Sequence, residues 1–210
     1  MVSVNDESRR LDSLDRVGGH PVLDFVNTVE CWQGGNHGVD YLDDFDSLMH
    51  WHRITGLIGP AALRQLGRGS PRDREAAHRE ARHLRGSLQS ILAAIANRAP
   101  LPRDALEPLN RIAAETAGRR KIRARKRVFF VEWDFVWDFK GAPPRAILGP
   151  IAWLALELLR HGPLDRIKAC PETEGCGWLF LDESKNRSRT WCSMKTCGNA
   201  AKARRFRARY

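Results

Sequence analysis

The sequence of 210 residues lacks a long apolar run and an apolar N-terminus. The strongest apolar stretch, residues 147–159, is only 13 residues long and contains Gly149, Pro150 and Glu157. It is too short to span a bilayer and predicts a buried helix instead. The first 16 residues are charged and lack the apolar core of a secretory signal. We therefore expect a cytoplasmic protein that has no membrane partner.

Patterns that carry catalytic chemistry are also missing. The glycines form neither a phosphate-binding Walker loop nor a dinucleotide-binding motif. The seven histidines show no spacing typical of metal ligands or of a catalytic triad. His50 and His52, for example, are two positions apart and would point in different directions on a helix. The sequence offers no catalytic residues, and we expect the protein not to be an enzyme.

Acidic residues are absent after Glu183, although the chain has 25 of them. The net charge is +10, and residues 185–209 hold nine basic residues. A second run, residues 119–127, has seven basic residues in nine positions. Positive charge that is segregated in this way indicates an anionic partner, such as nucleic acid or an acidic surface.

Four of the five cysteines lie within 28 residues, in the pattern C-x5-C-x15-C-x4-C: Cys170, Cys176, Cys192 and Cys197. Two close pairs of thiols separated by a longer loop suit a tetrahedral zinc ion. Two disulfides or four unconnected thiols are the alternatives. The expected cytoplasmic location favours zinc, because thiols stay reduced there. The fifth cysteine, Cys31, is isolated and is interpreted as a half-buried small apolar residue.

The apolar pattern predicts an α+β protein with a mainly helical N-terminal domain and a short sheet. Ser70 followed by Pro71 predicts the start of a helix that continues to about Asn97. Helical periodicity also covers residues 41–58 and 102–118. The aromatic and β-branched stretch 120–139 predicts one or two strands. The expected core of this domain includes Leu84, Leu88, Ile91, Ile95, Trp153, Leu154 and Leu158.

The basic run 119–127 would lie on one of these strands. Its alternate residues, from Arg119 to Arg127, would then share one face, with Ile122 and Ala124 on the other. The cationic face would either extend a surface for a polyanion or pair with acids such as Asp43 and Asp44. We prefer the second interpretation.

The predicted organisation has three parts: a flexible leader (residues 1–17), a helical or mixed domain (18–163) and a small zinc module (164–210). The module is expected to be treble-clef-like or ribbon-like, with strands at 165–169 and 177–181 and a helix from about Cys197. On that helix, Ala203, Phe206 and Tyr210 would form a stripe that packs against the zinc core. Lys202, Arg205 and Arg209 would form the neighbouring cationic stripe.

Two segments resemble a known family. The stretch from Trp191 to Asn199, WCSMKTCGN, resembles the CGNR zinc finger, with Trp178-x-Phe180-x-Asp182 before it and the sequence KARR, residues 202–205, after it. The stretch LDFVNT, residues 23–28, and the helix around Trp51 resemble the ABATE domain, which precedes this finger in bacterial proteins.

The resemblance implies that the four cysteines bind one structural zinc ion. It also implies a stress-related transcription regulator. The family arginine after Gly-Asn is Ala200 here. We predict that the finger binds DNA and that the N-terminal domain senses a signal or forms a homodimer. The predicted nucleic-acid-binding residues are Arg187, Arg189, Lys202, Arg204, Arg205, Arg207 and Arg209.

An alternative function is a small-ligand-binding protein, or an adaptor whose finger contacts a protein partner. The candidate ligand pocket in the N-terminal domain consists of Asp24, Asn27, Thr28 and Trp51, because polar groups interrupt an apolar segment there. The other interpretation is that Asp24 and Asn27 cap a helix or close a turn.

Overall fold

The computed structural model describes residues 11–29, 39–126, 128, 131–171 and 176–208. The described chain is mainly helical and has two small antiparallel sheets, which confirms the predicted fold class. Its helices are α1 (Pro21–Val26), α2 (Phe45–Ile54), α3 (Pro60–Leu66), α4 (Pro71–Ala96), α5 (Glu107–Thr116), α6 (Gly149–His161) and α7 (Asn199–Arg207). Its strands are β1 (Arg120–Lys126), β2 (Val131–Trp137), β3 (Ile167–Ala169) and β4 (Leu179–Leu181).

The 26-residue helix α4 lies at the centre of the fold. Its start is the predicted one: Pro71 is the first helical residue, and the Ser70 hydroxyl accepts a hydrogen bond from the backbone N–H of Asp73 at 3.2 Å. Helix α4 contacts α1, α2, α5 and β3. Of the predicted core residues, Leu84, Leu88, Ile91 and Leu158 are buried, whereas Ile95, Trp153 and Leu154 are only partly buried.

Three elements differ from the predicted boundaries. Helix α2 begins at Phe45 because Asp44 and Ser47 form a reciprocal capping box. A separate helix, α3, follows the turn at Gly56, whose φ of 69° favours glycine. Helix α5 starts at Glu107, five residues after Pro102. The first apolar segment forms the short helix α1, with Pro21 as its first residue.

Strands β1 and β2 form an antiparallel hairpin over the predicted strand region. The register places Lys121, Arg123 and Arg125 on one face, as the alternation predicted. The preferred interpretation, in which this run pairs with acids, is confirmed for Lys121 and Arg125, but the acids are not Asp43 and Asp44. Lys121 instead bonds to Asp138 and Arg125 to Asp134, since these acids follow or lie within the neighbouring strand.

The expected leader is packed against the protein in its described part, residues 11–17. Leu11 is 1% exposed and belongs to the main core, and Leu14 contacts that core. Val17 packs beside the cysteine cluster. Residues 1–10 lie outside the described residues. None of the described helices combines the length and the apolar character that a membrane crossing needs.

Candidate metal centre

The four predicted zinc ligands meet at one point. The sulfur atoms of Cys170, Cys176, Cys192 and Cys197 all lie within 4.8 Å of one another. The Sγ atoms of Cys176 and Cys192 are 3.4 Å apart, and those of Cys192 and Cys197 are 3.7 Å apart. Zinc–sulfur bonds of about 2.3 Å in a tetrahedron require sulfur–sulfur distances of about 3.8 Å. The thiols are therefore arranged to bind one metal ion, and their separations are much longer than a disulfide bond of about 2.05 Å.

Two local structures supply one pair of thiols each. Cys170 directly follows β3 and Cys176 precedes β4, and the backbone N–H of Cys170 donates to the carbonyl of Trp178 at 2.8 Å. Cys192 lies in the next loop. Cys197 lies in a single π-helical turn, Met194–Gly198, which continues directly into α7. The metal site thus fixes the point at which α7 begins.

The thiols titrate as a group. Hydrogen bonds from Cys176 and Cys192 stabilise a thiolate on Cys170 and hold its pKa far below the ordinary value. Because Cys176 and Cys192 share protons with Cys170, the pKa values of both are raised. Only the thiolate form binds metal, so a zinc ion must displace the remaining protons. Four thiolates would fill the tetrahedron, and the site suits a structural ion rather than a catalytic one.

The Arg189 side chain lies against the backbone around the four cysteines. Its guanidinium donates hydrogen bonds to the backbone carbonyls of Trp191 at 2.9 Å, Leu181 at 3.3 Å and Val17 at 3.3 Å, and also to that of Cys192. It also stacks over the ring of Phe180, 4.5 Å from the centroid. The donors predicted for phosphate are therefore directed to the backbone around the cysteines.

Asp182 is a second residue that organises this segment, and only its place in the motif singles it out in the sequence. Its side chain is fully buried and accepts hydrogen bonds from Lys168 Nζ at 2.6 Å, from the Ser184 hydroxyl and from the backbone N–H of Arg189. Burial opposes the charge, but the bonds from Lys168 and Ser184 outweigh it and lower the pKa of Asp182. This carboxylate orders the loop between β4 and Cys192.

The cysteine-bearing segment is joined to the helical part of the chain through Asn27. The Asn27 carboxamide donates to the carbonyl of Leu179 at 2.8 Å and accepts from its N–H at 3.0 Å. Next to it, the indole of Trp178 donates to the carbonyl of Val29 at 2.9 Å. Leu179 and Ile167 belong to the same hydrophobic core as α4. The C-terminal segment is therefore packed into the main fold.

Comparison with known proteins agrees with this arrangement. Residues 19–162 match the family model of the ABATE domain, described as "Putative stress-induced transcription regulator", and residues 166–210 match that of the CGNR zinc finger. The chain belongs to the ABATE family. A search of curated proteins finds no match. The order of the two parts confirms the resemblance that the sequence indicated.

In the ABATE domain, the polar residues of the expected ligand pocket bond to protein partners. Asp24 accepts from the N–H of Gly18 at 2.9 Å, and burial raises the pKa of its carboxyl. The Thr28 hydroxyl donates to the carbonyl of Phe25 at 2.7 Å and accepts from Arg85 at 3.0 Å. Trp51 is 1% exposed and packs on Phe25. Asp24 thus bonds locally, beside the start of α1, as the turn interpretation predicted. The Asn27 side chain does not, because its partner is the backbone of Leu179.

Helix α7 of the CGNR finger differs from the prediction. Ala203 and Phe206 do not pack against the zinc core: both are exposed, Phe206 by 67%, and Ala201 is the buried residue of the helix. The reason is geometric, because the π-helical turn before Asn199 moves the start of the helix and rotates its faces. Tyr210 and Arg209 lie outside the described residues.

The remaining cations predicted to bind nucleic acid differ in their environments. Lys202, Arg204, Arg205 and Arg207 are exposed along α7. Arg187 is exposed, but it forms an ion pair with Asp165 at 2.5 Å. Ala200, which replaces the family arginine, is also exposed at the start of α7. Cys31 lies outside the described residues.

Proposed function

We propose that this ABATE protein is a transcription regulator without enzymatic activity whose CGNR finger binds DNA through α7. A single observation carries the proposal. Helix α7 buries only Ala201 and exposes four cations, Lys202, Arg204, Arg205 and Arg207. A helix with so little packing gains little from the protein itself, since short isolated helices are marginal in water. Residues 202–208 are all exposed to solvent, and the exposed side of α7 includes Lys202 and Arg207.

The distribution of charge around α7 suits DNA. Successive residues of a helix are about 100° apart, so Lys202, Arg204 and Arg205 point to three different sides. A helix in the major groove lies between two walls of phosphates, and cations on several sides of the helix can reach both. The metal centre supports this role because it holds the first turn of the helix.

The sequence predicts Arg187 and Arg189 as secondary contacts only, and they stay secondary in this proposal. Arg189 bonds to four backbone carbonyls of the protein, and Arg187 already pairs with Asp165. We assign the main phosphate contacts to α7, which also compensates for Ala200. Four contacts give only moderate affinity to a monomer, and each contributes about −0.9 to the slope of log affinity against log salt.

The test is a fluorescence-anisotropy titration of labelled duplex DNA at several salt concentrations. The double variant Lys202→Ala, Arg207→Ala should retain zinc, bind all DNA sequences more weakly and show a salt slope smaller by about 2. The control is Arg103→Ala, Arg160→Ala, which removes the same charge from exposed positions of the ABATE domain. Equal behaviour of the two double variants would overturn the assignment to α7.

A protein-binding finger is the second candidate, and the exposed ring of Phe206 favours it. An apolar protein interface depends little on salt, whereas DNA binding weakens steeply as salt rises. Phe206→Ala should leave DNA affinity within about threefold of wild type if α7 acts through its cations. A loss of DNA affinity above threefold that is the same at low and high salt would indicate an apolar contact at Phe206. That result would support the adaptor.

A further inference from the structure

The β1–β2 hairpin carries an exposed apolar face. The side chains on it are large and mostly uncovered by the described residues: Ile122 is 62% exposed, Val131 47%, Trp133 70% and Phe135 59%. Exposed apolar groups that form one patch mark interaction sites, whereas scattered single ones do not. We propose that this face is a homodimer interface, which packs against the same face of a second copy of the chain.

The pairing register defines the face. The cross-strand pairs Ile122 with Phe135, Ala124 with Trp133 and Lys126 with Val131 all point to one side. This side has no carboxylate on either strand. Because a twofold interface uses one patch twice, a face without opposed charges can pack on itself without leaving an acid buried.

The base of the hairpin is held in place by the ABATE domain. Trp137 lies so close to Gly149 that a β-carbon there would be 2.7 Å from the indole. The guanidinium of Arg120 stacks over Phe135 at 3.8 Å and over Trp153 at 4.7 Å. A two-stranded hairpin alone is marginally stable, and these contacts orient the apolar face before a partner binds.

The central pair of the face provides shape complementarity. Trp133, the largest side chain, stands opposite Ala124, the smallest. The small side chain on β1 beside the large ring on β2 would leave room for a ring of a second copy, a recess at Ala124. A twofold axis near this pair would place the Trp133 ring of each copy over the Ala124 recess of the other, as large and small residues alternate in packed cores.

The amount of surface suits a dimer of moderate affinity. Aromatic side chains bury about 150–250 Å² each when covered. With the exposed fractions above, the face offers about 500 Å² per copy, so two copies would bury about 1,000 Å². That is near the lower limit for a specific interface. We therefore expect a dissociation constant in the micromolar range.

The charges of the hairpin favour a second copy over nucleic acid. On the opposite face, the cations are balanced by acids: Lys121 bonds to Asp138 at 2.5 Å, and Arg125 pairs with Asp134 at 3.4 Å. With these cations paired, the opposite face attracts phosphate only weakly. On the apolar face, Arg120 is stacked over Phe135 and Trp153, and Lys126 is the last residue of β1, at the rim of the proposed contact. The proposal does not depend on DNA binding by α7, and either can fail alone.

The experiment is sedimentation equilibrium of the full chain from about 1 to 200 μM at low and high salt. Wild type should form dimers at both salt concentrations, because the contact is apolar. Trp133→Glu should weaken dimerisation at least tenfold. The control is Leu101→Glu, which places the same charge at an apolar residue that is 51% exposed but lies outside the hairpin, and it should leave the dimer intact.

Ala124→Trp is the decisive variant. It enlarges the apolar face but fills the recess, so a defined twofold contact predicts at least tenfold weaker dimerisation. Nonspecific association predicts the opposite, a stronger one. Zinc content and circular dichroism confirm folding. A wild-type monomer at 200 μM, or an Ala124→Trp dimer as tight as wild type, would overturn the proposal. A Trp133→Glu variant that still dimerises like wild type but binds single-stranded DNA more weakly would also overturn it.

Discussion

Asn27 and Leu179, 152 positions apart in the sequence, exchange two hydrogen bonds in the buried interior. The carboxamide uses both its donor and its acceptor on one backbone unit of β4, as a neighbouring strand would. A buried backbone group without a partner costs about 1–3 kcal/mol. The Asn27 side chain therefore bonds to both the N–H and the carbonyl of Leu179, and these two bonds join the CGNR finger to the ABATE domain.

Asn27→Ala should accordingly lower the free energy of unfolding by about 2–4 kcal/mol. The reason is that the N–H and the carbonyl of Leu179 would both lose their partner in the interior. Thermal denaturation followed by circular dichroism measures the change, which corresponds to a fall of roughly 5–15 °C in Tm. Asn110→Ala, at an exposed position of α5, is the control and should change Tm by less than about 2 °C.

Cys192→Ser should abolish the binding of one zinc ion per chain. Because Ile167, Leu179 and Leu181 belong to the main core, we also expect the whole chain to be destabilised, and not only the finger. Metal analysis and thermal denaturation measure the two effects. Cys31→Ser, the same change at the fifth cysteine, should keep one zinc ion per chain. A variant without zinc that retained the wild-type Tm would contradict the shared core.

Arg189→Lys should weaken zinc binding by about 10–100-fold, the range found when groups that orient metal ligands are lost. A lysine keeps the charge, but it can neither stack on Phe180 in the same way nor reach four carbonyls. Competition with a chromophoric chelator measures the affinity. Arg103→Lys serves as control. If Arg189 acted instead on phosphate, zinc affinity would be unchanged and DNA affinity alone would fall.

His52 makes stability depend on pH. Burial lowers its pKa from 6.5 to about 3, and neither ring nitrogen has a hydrogen-bond partner among the described residues. Above pH 6.5 the ring is neutral in both states and contributes nothing. Below pH 6.5, His52 is protonated in the unfolded chain but stays neutral in the folded chain. The free energy of unfolding therefore falls by up to about 1.4 kcal/mol per pH unit.

At pH 5 the loss from His52 should reach about 2 kcal/mol relative to pH 7. His52→Phe should remove this part of the pH dependence, whatever its effect on stability at pH 7. Urea denaturation at both pH values gives the difference. Protonation of the cysteines also releases zinc in acid, but it affects both proteins alike. His161→Phe, at an exposed histidine, should keep the wild-type dependence.

Local signals in the sequence predicted the metal centre and much of the helical framework. The cap at Ser70 and the alternation of residues 120–137 depend on neighbours along the chain, so they were visible without the structure. The cysteine spacing was sufficient because four ligands of one type have few other uses in reduced protein. Helix α3 was missed because it is only seven residues long and follows a glycine turn.

Contacts between distant segments could not be predicted in the same way. Nothing near Asn27 indicates that its partner is Leu179, and a ligand pocket was a reasonable interpretation of its buried amide. The orientation of α7 was also wrong, because a π-helical turn shifts the faces by an amount that helical periodicity does not contain. Arg189 looked like any other cation of a basic run, although its environment is different.

Two hydrogen bonds join Asn27 to Leu179, and a third joins Trp178 to Val29. They make the CGNR finger difficult to transfer to another protein. Grafting residues 164–210 onto an unrelated carrier would remove both partners and expose Leu179 and Leu181 to water. A working chimaera would need to carry LDFVNTV, residues 23–29, along with the finger. In evolution, the two parts are then expected to be inherited as one unit and exchanged as one unit.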